Sequence, residues 1–164
     1  EVDTKDGLDT YSKSKSLGEI KSNNHLTIRT SVVGPELKED GSELFHWFMS
    51  QNNKNIMGYT DVFWSGVTSF ELAKAVHWAI DKKITGLYHV TNNTKISKYD
   101  LLNLFKKYTN KDIKIIPSDQ KNIDKSFLDT RLLIDYRIPS YESMIIEMLE
   151  LILIDKELYS QYSL

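Results

Sequence analysis

Segments of helical and strand-like periodicity alternate along the 164 residues of this chain. Apolar residues at helical spacing, or capping residues, predict helices over residues 10–22, 43–51, 68–79, 97–108 and 140–159. Short runs of β-branched and aromatic residues predict strands at residues 25–30, 61–65, 86–90 and 112–116. We expect Pro117 to end the last of these strands. This alternation is typical of an α/β fold.

Composition narrows the classes of function. The net charge of -2 provides no basic field for nucleic acid, and the chain contains no cysteine, which excludes disulfides and thiolate chemistry. The longest apolar run, MIIEMLELILI, is interrupted by Glu147 and Glu150 and is too short to span a bilayer. The histidines are dispersed without ligand spacing, so we expect no metal site. We therefore interpret the chain as cytoplasmic, with neither a nucleic-acid nor a membrane partner.

Tyr11 and Lys15 carry the candidate chemistry. Residues four apart lie on one face of a helix, one turn from each other. A nearby ammonium favours the phenolate and lowers the pKa of a phenol, so such a tyrosine can give a proton to a carbonyl oxygen while hydride arrives at the carbon. With nine tyrosines and eighteen lysines in the chain, chance is enough to supply one such pair. An exposed helical pair without catalytic role is the alternative, so the context of the motif has to decide.

That context resembles a known family. The run from Tyr11 to Glu19, YSKSKSLGE, is similar to the catalytic-helix signature of the extended short-chain dehydrogenases, in which Tyr-x-x-Ser-Lys is followed by Gly-Glu. The next segment, residues 26–34, is similar to the strand that follows that helix, and its Arg-Thr-Ser resembles the dTDP-4-dehydrorhamnose reductase branch. Later segments follow in the family's order and spacing: Ser65-Gly66-Val67-Thr68, Glu71-Leu72-Ala73 and Gly86-Leu87-Tyr88-His89-Val90. The resemblance covers essentially the whole chain up to the last helix.

The resemblance implies the C-terminal part of a Rossmann-type α/β fold together with its substrate-binding subdomain. Residues 1–34 would form the catalytic helix and the following strand of the Rossmann core. Residues 35–164 would form mainly the substrate-binding region, with residues 67–91 returning to the core. Family members commonly pair through the helix that bears the tyrosine and the lysine, so the resemblance also implies a homodimer.

The resemblance also implies the reaction and its cofactor. The full-length protein would reduce a 4-keto sugar nucleotide with NAD or NADP as cofactor, acting in polysaccharide biosynthesis. Tyr11 would be the general acid, and Lys15 would hold the nicotinamide ribose and tune the tyrosine. Ser31 and Val32 would lie in the turn near the nicotinamide and the sugar. The alternative for these two residues is a strand end that packs internally.

Three residues are candidates for substrate binding. Val32 stands where the rhamnose-type reductases often carry a tryptophan, which leaves the sugar open. Trp64 either packs in the core or walls a pocket. Arg131, in a segment resembling a late loop of the family, could hold a nucleotide diphosphate with its planar guanidinium, or it could pair with a surface carboxylate. We expect Arg29, in a buried strand, to be structural.

The sequence also departs from the family. Its members begin with a strand and a Gly-rich turn that binds pyrophosphate at a helix N-terminus, and no G-x-G-x-x-G or G-x-x-G-x-x-G occurs among the seven glycines. The chain opens on Glu1 and looks like a piece of a longer protein, so we expect these residues alone to bind NAD(P) weakly and to be inactive. An epimerase or dehydratase of the same superfamily is the alternative enzyme, and a non-catalytic binding or assembly module is the alternative of another class.

Overall fold

A computed structural model describes residues 5, 7, 9–20, 22, 24–52, 54–129, 135–162 and 164. Within them the chain forms helices and strands in alternation, as the periodicity predicts. The helices are α1 (Thr10–Leu17), α2 (Leu44–Ser50), α3 (Ser69–Asp81), α4 (Lys98–Thr109) and α5 (Tyr141–Ile154). The strands are β1 (Leu26–Arg29), β2 (Val32–Val33), β3 (Asn55–Tyr59), β4 (Val62–Trp64), β5 (Val67–Thr68), β6 (Gly86–His89), β7 (Ile96–Ser97), β8 (Lys114–Ser118) and β9 (Ile123–Lys125).

Most of the strand pairs are parallel and join segments that are distant in sequence. β1 pairs with β6, β2 with β5 and β3 with β8, all in parallel. β4 lies between β7, which is antiparallel to it, and β9, which is parallel to it. Parallel strands require a crossover, and here helices provide it. The structure therefore confirms a mixed α/β fold with parallel sheets.

The main core lies between α2, α4 and α5 and the β3–β8 pair. Phe45, Phe48 and Phe105 are fully buried, with ring centroids 5.2 Å apart for Phe45–Phe105 and 5.7 Å apart for Phe48–Phe105. Met148 and Ile152 of α5 close the same cluster. Among the residues that the structure describes, no helix combines the length and the apolar character needed to cross a membrane.

Local capping explains where the helices begin. The Thr68 hydroxyl accepts a hydrogen bond from the Glu71 backbone N–H at 3.2 Å, as the T-x-x-E pattern predicts. Ser97 caps α4 in the same way, accepting from the Asp100 N–H at 3.0 Å. The Glu71 carboxylate departs from a capping box, because it is buried and accepts a hydrogen bond from the Tyr136 hydroxyl at 2.8 Å.

Several predicted boundaries are wrong. α1 ends at Leu17 rather than at residue 22, and the N–H of the C-cap residue Gly18 still donates to the Ser14 carbonyl. α5 ends at Ile154 rather than near Tyr159, and turns follow it. Pro117 lies within β8 instead of ending it, since a proline is tolerated where its missing N–H would point away from the partner strand.

The face that α2 buries also differs from the prediction. The spacing of Leu44, Trp47 and Phe48 predicts an inward stripe, but the fully buried side chains are Phe45 and Phe48, and Trp47 is exposed. His46 is buried as well, with its Nδ1 2.9 Å from the Tyr162 hydroxyl. The buried imidazole of His46 thus has the hydrogen-bond partner that burial requires, and the partner comes from the C-terminal segment.

Candidate functional site

α1 presents Tyr11 and Lys15 together on an open face. The Asp9 carboxylate caps the helix, accepting hydrogen bonds from the Ser12 N–H at 2.7 Å and the Ser12 hydroxyl at 3.0 Å. Tyr11 is 71% exposed, and the Lys15 Nζ lies 5.4 Å from the centroid of its ring. The geometry therefore brings a phenol and an ammonium within one turn of each other, both accessible to a ligand.

An ion pair connects α1 to the sheet. The Nε and Nη2 groups of Arg29 donate to the two carboxylate oxygens of Glu19 at 2.7 and 2.9 Å, and Lys5 also pairs with Glu19. These contacts, the hydrogen bond from Arg29 first among them, lower the pKa of Glu19 to about 2. Arg29 is thus held in a structural pair, and it lies two residues before Ser31 on the same segment.

Ser31 lies in the short segment between β1 and β2, and Val32 is the first residue of β2. The Ser31 carbonyl accepts a hydrogen bond from the Val67 N–H at 3.0 Å, and Val32 stands in register with Val67. A Cβ at Gly66 would come 2.2 Å from the Ser31 carbonyl oxygen, so only glycine allows this approach. Val32 is 41% exposed, which leaves its side chain open to a ligand.

Trp64 lines a cleft of about 340 Å³. The indole packs against the Tyr141 ring with centroids 5.8 Å apart and is half-buried. We call this space the lysine cleft, because three of its eight lining residues are lysines. The lining residues are Tyr59, Val62, Phe63, Trp64, Lys98, Lys121, Ile123 and Lys125.

The three lysines of the cleft are candidate functional residues that sequence reasoning missed. The parallel pairing of β4 with β9 brings Lys121 and Lys125 to Trp64, and the antiparallel pairing of β4 with β7 brings Lys98, at the start of α4, to the same place. In sequence they are single lysines in a lysine-rich chain, which are typical of a solvated surface. No local pattern distinguishes them.

One charge of the cleft acts on the residue that caps α1. Hydrogen bonds from Ser12 account for most of the lowering of the Asp9 pKa, and the positive charge of Lys125 adds a smaller effect of the same sign. Asp9 caps the helix two residues before Tyr11.

The other predicted substrate residue, Arg131, lies outside the described residues. Within the described part of the chain, no group of three or more histidine, aspartate or glutamate side chains is arranged to hold a metal ion.

Comparison with known proteins shows similarity at the level of the fold. No protein-family model and no curated protein matches the chain. Among solved structures it is similar to the dTDP-4-dehydrorhamnose reductase of Bacillus anthracis str. Ames in complex with NADP, with a TM-score of 0.69, 19% identity and coverage of 85% of this chain and 52% of that one. The corresponding reductase of Yersinia enterocolitica gives a TM-score of 0.68, 23% identity and coverage of 92% and 59%.

Nucleotide-sugar epimerases share the fold as well. The UDP-N-acetylglucosamine 4-epimerase of Methanobrevibacter ruminantium M1, in complex with UDP-N-acetylmuramic acid, gives a TM-score of 0.60 at 19% identity and coverage of 88% of this chain and 50% of that one. The chain spans about half the length of the solved structures that it matches. Its fold is therefore similar to part of the fold of these reductases and epimerases.

Proposed function

We propose that the full-length protein containing these residues reduces a 4-keto sugar nucleotide, with NADH or NADPH as the reductant. The observation that carries the proposal is the exposed Tyr11–Lys15 pair on one face of α1, in a fold shared with dTDP-4-dehydrorhamnose reductases. The neighbour from Bacillus anthracis contains NADP, which supports a nicotinamide cofactor.

The chain's own residues fit this role. The Tyr11 hydroxyl donates a proton to the carbonyl oxygen of the substrate, which becomes the product hydroxyl. A bound nicotinamide supplies the hydride that reaches the carbonyl carbon. Lys15 makes no ion pair within the described part of the chain, so its ammonium is free to donate hydrogen bonds to the ribose of the cofactor. Ser31 and Val32 border the sugar, and Trp64 and Arg131 contribute to binding the nucleotide.

The test is a reduction assay on the full-length protein with a 4-keto sugar nucleotide. We expect oxidation of NADH or NADPH that depends on the sugar nucleotide, and Tyr11→Phe should lower turnover by roughly a hundredfold or more, since the proton donor is lost. Substrate affinity and melting temperature should change little, because the side chain is exposed. Lys13→Gln, on the same exposed helix, is the matched control and should keep wild-type turnover.

Epimerisation is the second candidate, because the fold is shared with UDP-N-acetylglucosamine 4-epimerases. An epimerase interconverts two sugar nucleotides without net consumption of the reduced cofactor. Chromatography of the products therefore separates the two activities. Wild-type turnover in Tyr11→Phe would contradict both, since both assign the proton transfer to Tyr11.

A further inference from the structure

Side chains from four places in the chain hold the backbone of residues 126–129, which we call the clamped segment. At its start the Asp124 carboxylate accepts a hydrogen bond from the Ser126 N–H at 2.9 Å. At its end the Asn93 side-chain oxygen accepts one from the Asp129 N–H at 2.6 Å. The segment belongs to no helix or strand, yet both of its ends are fixed to separate parts of the fold.

The middle of the clamped segment is held by Ser65 and His89. The fully buried Ser65 hydroxyl accepts a hydrogen bond from the Phe127 N–H at 2.8 Å and donates one to the Phe127 carbonyl at 3.1 Å. The His89 Nδ1 lies 2.8 Å from the Leu128 carbonyl oxygen, and the imidazole meets the Phe127 ring edge-on with centroids 5.2 Å apart. The backbone here cannot shift without the loss of several hydrogen bonds.

The partners of His89 define which of its ring nitrogens carries the proton. A carbonyl oxygen only accepts, so Nδ1 carries the hydrogen that is donated to Leu128. A guanidinium only donates, so Nε2 accepts from the Arg29 Nη1 at the longer distance of 3.4 Å. Arg29 in turn holds Glu19 beyond the end of α1. His89 therefore connects the clamped segment to α1 through two intervening side chains.

The clamped segment lies at the end of the parallel sheet where such sheets bind ligands. His89 is the last residue of β6, at the carboxyl end of its parallel pairing with β1. In open α/β sheets, ligands bind in the crevice beyond the carboxyl ends of the strands. Ser65, which holds the segment from the other side, precedes Gly66, and Gly66 packs directly against the Ser31 carbonyl. The segment is thus tied to the turn that we expect to border the sugar.

The side chain of Leu128 is open to solvent at this place. It is 57% exposed although its backbone is held by His89, whereas the neighbouring Phe127 is half-buried against the imidazole. An apolar side chain gains free energy when a ligand removes it from water, and the carbon atoms of a sugar ring can do so. Since the backbone is already fixed, little conformational entropy is lost when the contact forms.

We propose that Leu128 contacts the sugar of the substrate and that His89 is the positioning residue that holds Leu128 there, through its Nδ1–H hydrogen bond to the Leu128 carbonyl. His89 touches no reacting atom and acts only through the clamped segment. The identity of the ligand as the sugar of a sugar nucleotide rests on the proposed function. An apolar side chain suits the carbon atoms of the sugar and not the phosphates, so the contact should be specific to the sugar.

Calorimetric titration of the full-length protein tests the contact without reference to turnover. The probes are thymidine diphosphate rhamnose and uridine diphosphate rhamnose, each compared with its nucleoside diphosphate alone. Leu128→Ala should raise the Kd of the sugar nucleotides about tenfold and leave that of the nucleoside diphosphates unchanged, because only the sugar loses an apolar partner. In the reduction assay the same variant should raise KM with kcat nearly intact, as expected when uniform binding is removed.

Two substitutions of His89 separate positioning from a purely structural role. The amide nitrogen of asparagine stands as many bonds from Cβ as Nδ1 does, and the amide group of glutamine reaches the place of Nε2. His89→Asn therefore keeps the donor to Leu128, whereas His89→Gln keeps only the acceptor for Arg29. Both variants lose the ring that packs on Phe127, so their melting temperatures should fall by similar amounts. Only His89→Gln should raise the Kd of the sugar nucleotides, by roughly fivefold.

His77→Gln is the matched control, since His77 is an exposed histidine on α3, and it should leave every Kd and the melting temperature unchanged. Equal affinity of His89→Asn and His89→Gln for the sugar nucleotides would overturn the positioning role. The contact itself is overturned if Leu128→Ala keeps the wild-type affinity, if it weakens the nucleoside diphosphates equally, or if the wild type binds neither sugar nucleotide.

The outcomes also separate this inference from the proposed function. If Tyr11→Phe has wild-type turnover while the affinity for sugar nucleotides depends on Leu128 and on the donor at residue 89, the reductase proposal fails and the positioning role stands. If turnover depends on Tyr11 but the variants of His89 and Leu128 bind sugar nucleotides like the wild type, the reductase proposal stands and the positioning role is wrong.

Discussion

The Glu19 carboxylate lies between two cations of different segments. Arg29 of β1 grips it with two nitrogens, and Lys5 approaches from the N-terminal side. A planar guanidinium matches both carboxylate oxygens, which makes this the strongest kind of side-chain pair. Glu19, which follows the Tyr-Lys motif, thus has a structural role, because its ion pairs anchor the end of the helix that carries Tyr11 and Lys15.

Glu19→Gln should lower the free energy of unfolding at neutral pH by about 1–2 kcal/mol, allowing for partial exposure of the pair. The folded pKa of Glu19, about 2, lies below its ordinary value of 4.5. The stabilisation is therefore fully present above the unfolded pKa and is lost as the pH falls through the folded pKa. Denaturant unfolding between neutral pH and pH 2 should show the curves of wild type and variant converging in that window.

Glu39→Gln is the matched control for this experiment, since Glu39 is an exposed carboxylate in the loop before α2. Its unfolding free energy should follow that of the wild type at every pH. A constant difference between wild type and Glu19→Gln down to pH 2 would mean that the Arg29 pair does not act through the charge of Glu19.

At the scale of elements, Lys74 connects two helices. Its Nζ lies 2.8 Å from Glu71 on α3 and 2.6 Å from Glu147 on α5. Burial acts to lower the pKa of Lys74, but the two carboxylates outweigh it and the pKa is raised. Glu71 is only 1% exposed, and its carboxylate contacts Lys74 and the Tyr136 hydroxyl. A buried carboxylate that loses its cation is costly.

Lys74→Met should lower the free energy of unfolding by about 2–3 kcal/mol, because Glu71 keeps its burial and loses its counter-ion. Adding Glu71→Gln should restore part of the loss, since an amide can still accept the Tyr136 hydrogen bond without needing a cation. Lys82→Met, on an exposed lysine just after the same helix, is the control and should change the stability little. A double variant less stable than Lys74→Met would contradict the counter-ion role.

Elements that depend on local sequence were predictable, and those that depend on distant pairing were not. The caps at Thr68 and Ser97 need only three residues, and both are confirmed. β3 and β9 were missed, because Asn55–Tyr59 lacks a clear alternation and gains its strand character from β8, and Ile123–Lys125 gains it from β4. The lysine cleft depends on the pairing of β4 with both β9 and β7, so it could not be predicted either.

At the scale of the whole molecule, strands near the N-terminus pair with strands from the middle of the chain. Residues 26–33 pair with residues 67–68 and 86–89, so the segment after α1 is completed by strands that follow β4. The order of motifs predicted the fold for this reason, since each motif marks one element of a shared topology. The division into residues 1–34 and 35–164 stays a prediction, as do the roles of the site residues.

The end of α1 exposes apolar side chains to solvent. Leu17 is 87% exposed at the end of α1, and the apolar Ile20 beyond it is exposed as well. No side chain of α1 is buried within the described part of the chain. Exposed apolar side chains on one helix are typical of an interface, and the predicted homodimer would pair through this helix.

Leu17→Gln should therefore weaken self-association of the full-length protein, raising the dimer Kd by about tenfold or more through loss of one buried apolar anchor. Leu17 follows Tyr11 by six residues and lies on another side of α1, so turnover per chain should persist. Sedimentation velocity over a concentration series measures the dimer Kd directly. Leu37→Gln is the matched control, because Leu37 is 64% exposed in the loop before α2 and lies outside α1. Pairing through α1 would be excluded if the wild-type protein stays monomeric at every concentration, or if the Leu17→Gln dimer is as tight as the Leu37→Gln dimer. The apolar end of the helix would then have to pack within a single copy of the protein.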